Sequence, residues 1–230
     1  MGILWVAATP IGNLGDVSRR FVETLSRISF VACEDTRDLK RLCSALSLPC
    51  PNHISLFEHN EESRIDEIMG RLASGMEVLL VSSAGTPLVS DPGYRLVSAA
   101  ISAGHKVSPI PGACAPIAAI SCSGLRTDRF AFLGFPPRKP GKRLAMLRAL
   151  TSFEGTIVMF ESPFRVAKLA RECHEVFGSR PAVLARELTK VHEEFIREPL
   201  GKLADLLAAK QVKGECVLLI EIRSKTEEVD

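Results

Sequence analysis

The sequence predicts an α/β protein of two domains, with a parallel sheet in the first and a mixed sheet in the second. Three observations lead there. Short apolar, β-branched runs alternate with amphipathic stretches from residue 3 to about residue 122, the pattern of a parallel sheet covered by helices on both faces. Glu77–Ser82 is apolar almost throughout, as a strand buried on both sides must be. Beyond Arg129 two strand-like runs, Ala182–Arg186 and Glu194–Glu198, lie so close that antiparallel pairing in a mixed sheet becomes the natural connection.

In chain order, Leu4–Ala8 reads as a strand. Ser18–Ile28 reads as a helix with Phe21, Val22, Leu25 and Ile28 at helical spacing. Phe30–Cys33 is a strand, Thr36–Leu46 a helix and Ile54–Phe57 a strand. Asn60 is placed to cap the next helix, Glu61 and Glu62 sit at its positive end, and Gly75 ends it. The strand Glu77–Ser82 precedes a helix, Tyr94–Ala103, closed by Gly104. Lys106–Ile110 is a strand and Ala113–Cys122 a helix. The boundary between domains is expected near residue 125, giving segments 1–125 and 126–230. In the second segment Phe130–Phe135 is a strand. The Pro/Gly/basic stretch 136–143 is a loop. A helix (Leu144–Leu150), a strand (Thr156–Phe160) and a helix (Arg165–Phe177) follow. After the two close strands come a helix (Leu200–Ala209) and a final strand (Glu215–Ile222). Lys225–Asp230 is expected to be a frayed acidic tail.

Composition narrows the class. The 230 residues are 46% hydrophobic and 24% charged, which excludes a disordered chain. Lys+Arg 29 against Asp+Glu 27 leaves +2, too little to mark a nucleic-acid binder by global charge. The opening Ile3–Ala8 lacks a basic region before it and breaks at Thr9-Pro10, so it is not read as a signal peptide. No run approaches the roughly 20 apolar residues of a membrane span, and no membrane partner is expected. Seven cysteines without a CxxC pair fit a reduced, cytoplasmic chain without a structural metal.

Candidate chemistry gathers at the carboxyl ends of the first-domain strands, where open α/β sheets bind ligands. Thr9–Asp16 follows the first strand, Ser82–Gly93 the fourth and Pro111–Ala115 the fifth. All three are rich in Gly and small residues, which admit a ligand against bare backbone. No GxxxxGK[ST] loop occurs and no GxGxxG follows the first strand, so neither a nucleoside triphosphate nor a dinucleotide is indicated. The loops also lack Lys, and a neutral or cationic nucleoside-like ligand suits them better than an anion.

These blocks resemble the tetrapyrrole-methylase superfamily, and within it the branch of small-subunit (16S) ribosomal RNA cytidine 2′-O-methyltransferases. The resemblance is carried by Thr9-Pro10-Ile11-Gly12-Asn13-Leu14, Glu34-Asp35-Thr36-Arg37, His59-Asn60-Glu61, Ala84-Gly85-Thr86-Pro87 and Ser90-Asp91-Pro92-Gly93. In the second half it rests on Ser123-Gly124-Leu125, Gly134-Phe135, Glu161-Ser162-Pro163 and Ala185-Arg186-Glu187-Leu188-Thr189-Lys190. The blocks span almost the whole chain in family order. Three positions depart from the family's pattern. Ser83 stands where Asp is usual, Phe164 where His is usual and Pro136 where Leu is usual. Ser83 can offer only a neutral hydrogen bond, and no catalytic role is rested on residue 164.

The resemblance implies a two-domain fold with S-adenosylmethionine in the cleft between the domains. The cofactor would touch Pro10, Gly12, Ser83, Ala84, Gly85, Thr86, Pro87, Asp91, Pro111, Gly112, Ala113 and Ala115, largely through backbone groups. It further implies a homodimer, and relatives that continue beyond this chain's end with a small RNA-contacting segment.

The polar blocks admit two readings each. Asp35 or Thr36 explains itself as a helix N-cap, but that leaves Glu34 and Arg37 unexplained. Glu34 or Asp35 could deprotonate or orient a ribose hydroxyl, and Arg37 could grip a phosphate. His59-Asn60-Glu61 is either a cap with dipole-matched acids or a substrate contact. Glu161 and Ser162 form either a strand-to-helix turn or, with Arg165, an anion site, since a cation in a first helical turn opposes the dipole. Arg186, Glu187 and Lys190 are either a solvated strand end or, on the family reading, substrate-facing groups, with Lys190 a candidate catalytic cation.

Charge is uneven along the chain. Residues 126–148 hold seven basic residues, among them Arg138, Lys139, Lys142 and Arg143, against Asp128 alone, which is +6 and leaves −4 elsewhere. That concentration fits phosphate gripping of structured ribosomal RNA, free or in the assembled small subunit. The predicted reaction is methyl transfer from S-adenosylmethionine to a cytidine 2′-hydroxyl by in-line displacement. The alternatives are a methyltransferase of the same superfamily acting on a small molecule or protein side chain, and a non-catalytic module that binds cofactor and RNA.

Overall fold

The structure is a computed structural model and describes residues 2–57 and 59–222. The expected tail Lys225–Asp230 lies outside these residues. The chain divides into two compact units, Met1–Cys114 and Ala115–Asp230.

The first unit holds a parallel sheet of β1 (Ile3–Ala7), β2 (Phe30–Cys33), β3 (Asn52–Ser55), β4 (Glu77–Val81) and β5 (Lys106–Ile110), in the order β3-β2-β4-β1-β5. Alternation along β4 decides the layers. Val78 and Leu80 face one side with Ile68 and Leu72 of α3 (Glu61–Ala73) and Leu96 and Ala100 of α4 (Tyr94–Ser102). Leu79 and Val81 face the other, against Phe21 and Leu25 of α1 (Arg19–Arg27) and Leu39 and Cys43 of α2 (Thr36–Ala45). Each large apolar side chain removed from water stabilises the unit by about 1.5–3 kcal/mol. A sheet covered on both faces is therefore dictated by the two-sided apolar strands.

The second unit is a mixed sheet of β6 (Phe130–Phe132), β7 (Gly155–Glu161), β8 (Pro181–Arg186), β9 (Glu194–Pro199) and β10 (Cys216–Ile222), in the order β6-β7-β10-β8-β9. Strands β6 and β7 run parallel, and the other pairs are antiparallel. Helices α6 (Pro140–Ala149), α7 (Val166–Phe177) and α8 (Leu200–Ala209) bury Leu147, Leu169, Cys173, Leu203 and Leu207 against Ile157, Met159, Leu184, Leu218 and Ile220. Helix α5 (Ala115–Ser121) packs on β10 and β7 of this unit.

Most expected elements form within one or two residues of their predicted ends. Strand β3 begins and ends two residues early, and beyond it the chain turns at 59–60, where Asn60 Oδ1 accepts the Phe57 N–H at 2.8 Å. Asn60 occupies the N-cap position without capping through its side chain, which is spent on that turn and on Ser55. The stretch 136–143 is only half a loop. Helix α6 starts at Pro140, a residue suited to the first helical position because its missing N–H would be unpaired there anyway.

Candidate functional site

The order β4-β1-β5 brings the three small-residue loops to one edge of the first sheet, and hydrogen bonds stitch them together. Thr9 and Gly85 exchange backbone bonds at 2.9 and 3.1 Å. The Thr86 hydroxyl donates to the Ala113 carbonyl at 3.0 Å, and the Ala8 N–H to the Ile110 carbonyl at 3.1 Å. Gly85 has φ +81°, and a Cβ there would lie 3.1 Å from Ile11 Cγ2, so both backbone and space call for glycine. Leu88 and Ser90 also adopt positive φ. Such strain in side-chain-bearing residues persists only where the surroundings enforce it, commonly at functional loops.

Ser83, Ala84, Pro111, Gly112 and Gly12 are exposed, Pro10 is half-buried and Pro87 is buried. Ala115 opens α5 and falls in the second unit. Two acids lie at this edge of the sheet. Glu34 Oε2 accepts the Ser83 N–H at 3.0 Å. The Asp91 carboxyl is pushed up to about 6, first by burial and then by the charge of Glu34. Glu34, Asp35, Thr36, Ser55, Phe57 and Ser83 line a pocket of about 400 Å³.

Asp35 is not a free base. Its carboxylate caps α2 by accepting the Arg37 N–H at 2.8 Å and pairs with the Arg37 guanidinium at 2.6 Å. Those bonds lower its pKa to about 2. Arg37 keeps an exposed outer face. His59 is exposed, while Glu61 turns inward. Glu61 Oε1 accepts the N–H groups of Arg95 and Leu96 at 3.0 and 3.2 Å, anchoring the first turn of α4.

The register of the second sheet collects another set. Glu161 and Arg186 both pair with Cys216, from opposite sides of β10. Buried Glu161 (4% exposed) accepts from Arg165 at 2.8 Å and from the Ser162 N–H at 2.7 Å. Arg186 donates to Glu194 at 2.6 Å and to the Lys213 carbonyl at 3.1 Å. Glu187 Oε1 accepts from Lys190 Nζ at 3.0 Å and from the Glu215 N–H at 2.9 Å, and Glu215 Oε2 accepts from Lys190 at 3.0 Å. Partial burial works against the Lys190 charge, but the two carboxylates hold its pKa above the ordinary value. Lys190 is a firmly protonated cation.

Arg138, Lys139 and Lys142 are exposed, as a phosphate-gripping surface requires. Arg143 departs from that expectation. It is 5% exposed and belongs to the core scaffold, bonded to Glu172 and to the carbonyls of Pro137 and Arg138. The guanidinium can lie inward because α7 supplies a carboxylate to meet it.

The tetrapyrrole (corrin/porphyrin) methylase family model matches residues 4–204. The chain belongs to the tetrapyrrole methylase family. Among its relatives, a ribosomal RNA small subunit methyltransferase I from Micromonospora olivasterospora is 45% identical over 220 residues, covering 95% of this chain and 70% of that protein. One of the same name from Pseudomonas aeruginosa is 44% identical over 222 residues, covering 95% of this chain and 78% of that protein. In fold the chain is similar to uroporphyrin-III C-methyl transferase from Thermus thermophilus, solved with S-adenyl homocysteine. That likeness has TM-score 0.68, 17% identity and coverage of 96% of this chain and 97% of that one.

For a tetrapyrrole methylase of this kind, sequence reasoning missed Glu215 and Glu172. Buried Thr9, which opens the first of the loops read from the sequence, ties two of those loops together. Glu215 and Glu172 are partners reached across 25 and 29 residues, which spacing cannot reveal. Among the described residues no group of three or more His, Cys, Asp or Glu could hold a metal, and no helix is long and apolar enough to cross a membrane.

Proposed function

We propose that the protein transfers a methyl group from S-adenosylmethionine to the ribose 2′-hydroxyl of a cytidine in small-subunit (16S) ribosomal RNA. The observation that carries this reading is the 45% identity over 95% of the chain to a ribosomal RNA small subunit methyltransferase I. On this reading the protein works in the cytoplasm as a homodimer, on free RNA or on the assembled small subunit. The first domain presents the cofactor and the second grips the substrate.

The loops fit the cofactor by their chemistry. Their exposed backbone groups suit an adenosine and a methionine tail, and residues 9–15, 82–93 and 111–115 contain no Lys or Arg. The acids Glu34 and Asp91 repel each other, and a cation beside them relieves that repulsion. Bound S-adenosylmethionine supplies an electrophilic methyl group on a positively charged sulfur. Pro10, Ser83–Pro87 and Pro111–Ala113 would hold it. The protein's own task is then alignment and proton removal. Glu34 suits the acceptor role better than Asp35, whose carboxylate is saturated by Arg37. Lys190 orients or stabilises an oxygen rather than accepting a proton, since its charge is fixed.

The test is a transfer assay with radiolabelled S-adenosylmethionine and small ribosomal subunits lacking the modification, followed by mass spectrometry of the digested RNA. Labelled 2′-O-methylcytidine is the expected product. Cofactor binding without label on subunits or naked RNA would overturn the proposal in favour of a small-molecule or protein methyltransferase or a non-catalytic module.

A further inference from the structure

We infer that Phe164 is a base-stacking platform for the substrate, an inference that rests on the reading of the protein as an RNA methyltransferase. Phe164 is 87% exposed. Its backbone, by contrast, is held firmly. The Phe164 N–H donates to Ser162 Oγ at 3.3 Å, and the Ser162 carbonyl accepts from Arg165 and Val166 at 2.9 and 3.0 Å. A fixed backbone that projects an aromatic ring into solvent is pre-organised to receive a flat partner.

The surroundings say which partner. Next to Phe164 stands Arg165, its guanidinium fixed by buried Glu161. The neighbouring loop follows β6, which runs parallel to β7, and the Phe160 N–H donates to the Gly134 carbonyl at 2.9 Å. That bond sets Phe135, 57% exposed, on the adjacent loop with its ring 5.4 Å from that of Phe160. Exposed Arg138 and Lys139 follow on the same loop. Two solvent-facing aromatic rings on neighbouring loops among cations match unstacked bases joined by phosphates. A protein partner would instead favour an apolar patch depleted of lysine.

The experiment compares Phe164→Ala, Phe164→Leu, Phe164→Trp and the unmodified protein in the labelled-methyl assay on small subunits, with cofactor affinity measured by calorimetry. Phe164→Ala is expected to raise KM for the subunit by roughly 5- to 100-fold, the usual worth of one base–aromatic stack. Phe164→Leu keeps the bulk but lacks a π face, so its KM rises as well, whereas Phe164→Trp stays near the unmodified value. Cofactor affinity and thermal stability are expected to be unchanged in all three. An unchanged KM in Phe164→Ala, or full rescue by Phe164→Leu, overturns the inference while leaving the RNA reading intact. No transfer to RNA by the unmodified protein overturns both.

Discussion

The Arg143 guanidinium and the Glu172 carboxylate form a two-point pair inside the second unit, with Arg143 Nη2 donating to Glu172 Oε1 at 2.7 Å and Nε to the other oxygen. The same guanidinium donates from Nη1 to the Pro137 and Arg138 carbonyls, both at 2.9 Å. One buried arginine thus fastens the start of the basic loop to α7. Removing one partner of such a pair strands a buried charge and costs about 3–5 kcal/mol. Arg143→Met is therefore expected to lower Tm by about 6–20 °C, at roughly 2–4 °C per kcal/mol for a chain of this size. Arg143→Met with Glu172→Leu recovers much of that loss. Differential scanning calorimetry checks both, and an undiminished Tm in the single variant contradicts the assignment.

Arg138, Lys139 and Lys142 form the contrast. All three are exposed, so neutralising them to Gln is expected to leave Tm within about 1–2 °C, a change of under about 0.5 kcal/mol. The effect falls on RNA instead. Each lost phosphate contact flattens the dependence of log K on log salt by about 0.7–0.9. Binding titrations at several salt concentrations read this directly. A salt slope identical to that of the unmodified protein removes these side chains from the RNA surface.

Asp91 gives a pH signature. Its pKa rises from 3.8 to about 6 through burial first and the Glu34 charge second. Between those values the native state holds a proton that the unfolded chain has lost, so stability falls as pH rises through that window. Asp91→Asn removes the penalty without changing shape. The variant is expected to match the unmodified protein near pH 4, gain on it between about pH 4 and 6, and keep the gain at about pH 7–8. Thermal melts across that range decide it, and a gain that shrinks with rising pH has the wrong sign. Affinity for S-adenosylmethionine is expected to fall in the same variant, because an anionic neighbour of the cation is gone.

The sheet architecture was legible in the sequence because strands such as Glu77–Val81 are apolar on both faces, and only two helical layers can satisfy that. Strand ends also located the loops around Thr9, Ser83 and Pro111 correctly at one edge, since parallel order places every such end on the same side. What could not be read is which polar side chain turns inward. Glu61 and Arg143 look like surface charges by spacing, yet one anchors α4 and the other is held by Glu172. Their partners lie 29 to 35 residues away, and only the packed helices bring them together. Asp35 shows the reverse case, where the local rule for an N-cap already explained the residue.

Lys190 supplies the last prediction. Its ammonium donates to Glu187 and Glu215, both at 3.0 Å, and Glu187 holds positive φ at 50°. Gly214 makes room for that arrangement. A Cβ there would lie 2.4 Å from the Glu187 side chain, and its φ of +84° disfavours any other residue. Gly214→Ala is therefore expected to displace Glu187 and loosen Lys190. Lys190→Met removes the cation outright. Both variants are expected to lose turnover on small subunits while keeping their affinity for S-adenosylmethionine. Because carboxylates hold the Lys190 pKa above its ordinary value, the unmodified enzyme shows no alkaline loss of activity from this group below about pH 10. Steady-state kinetics across pH, set beside cofactor calorimetry, separates the cases. Turnover of Lys190→Met equal to that of the unmodified protein would make the cluster a structural clasp alone.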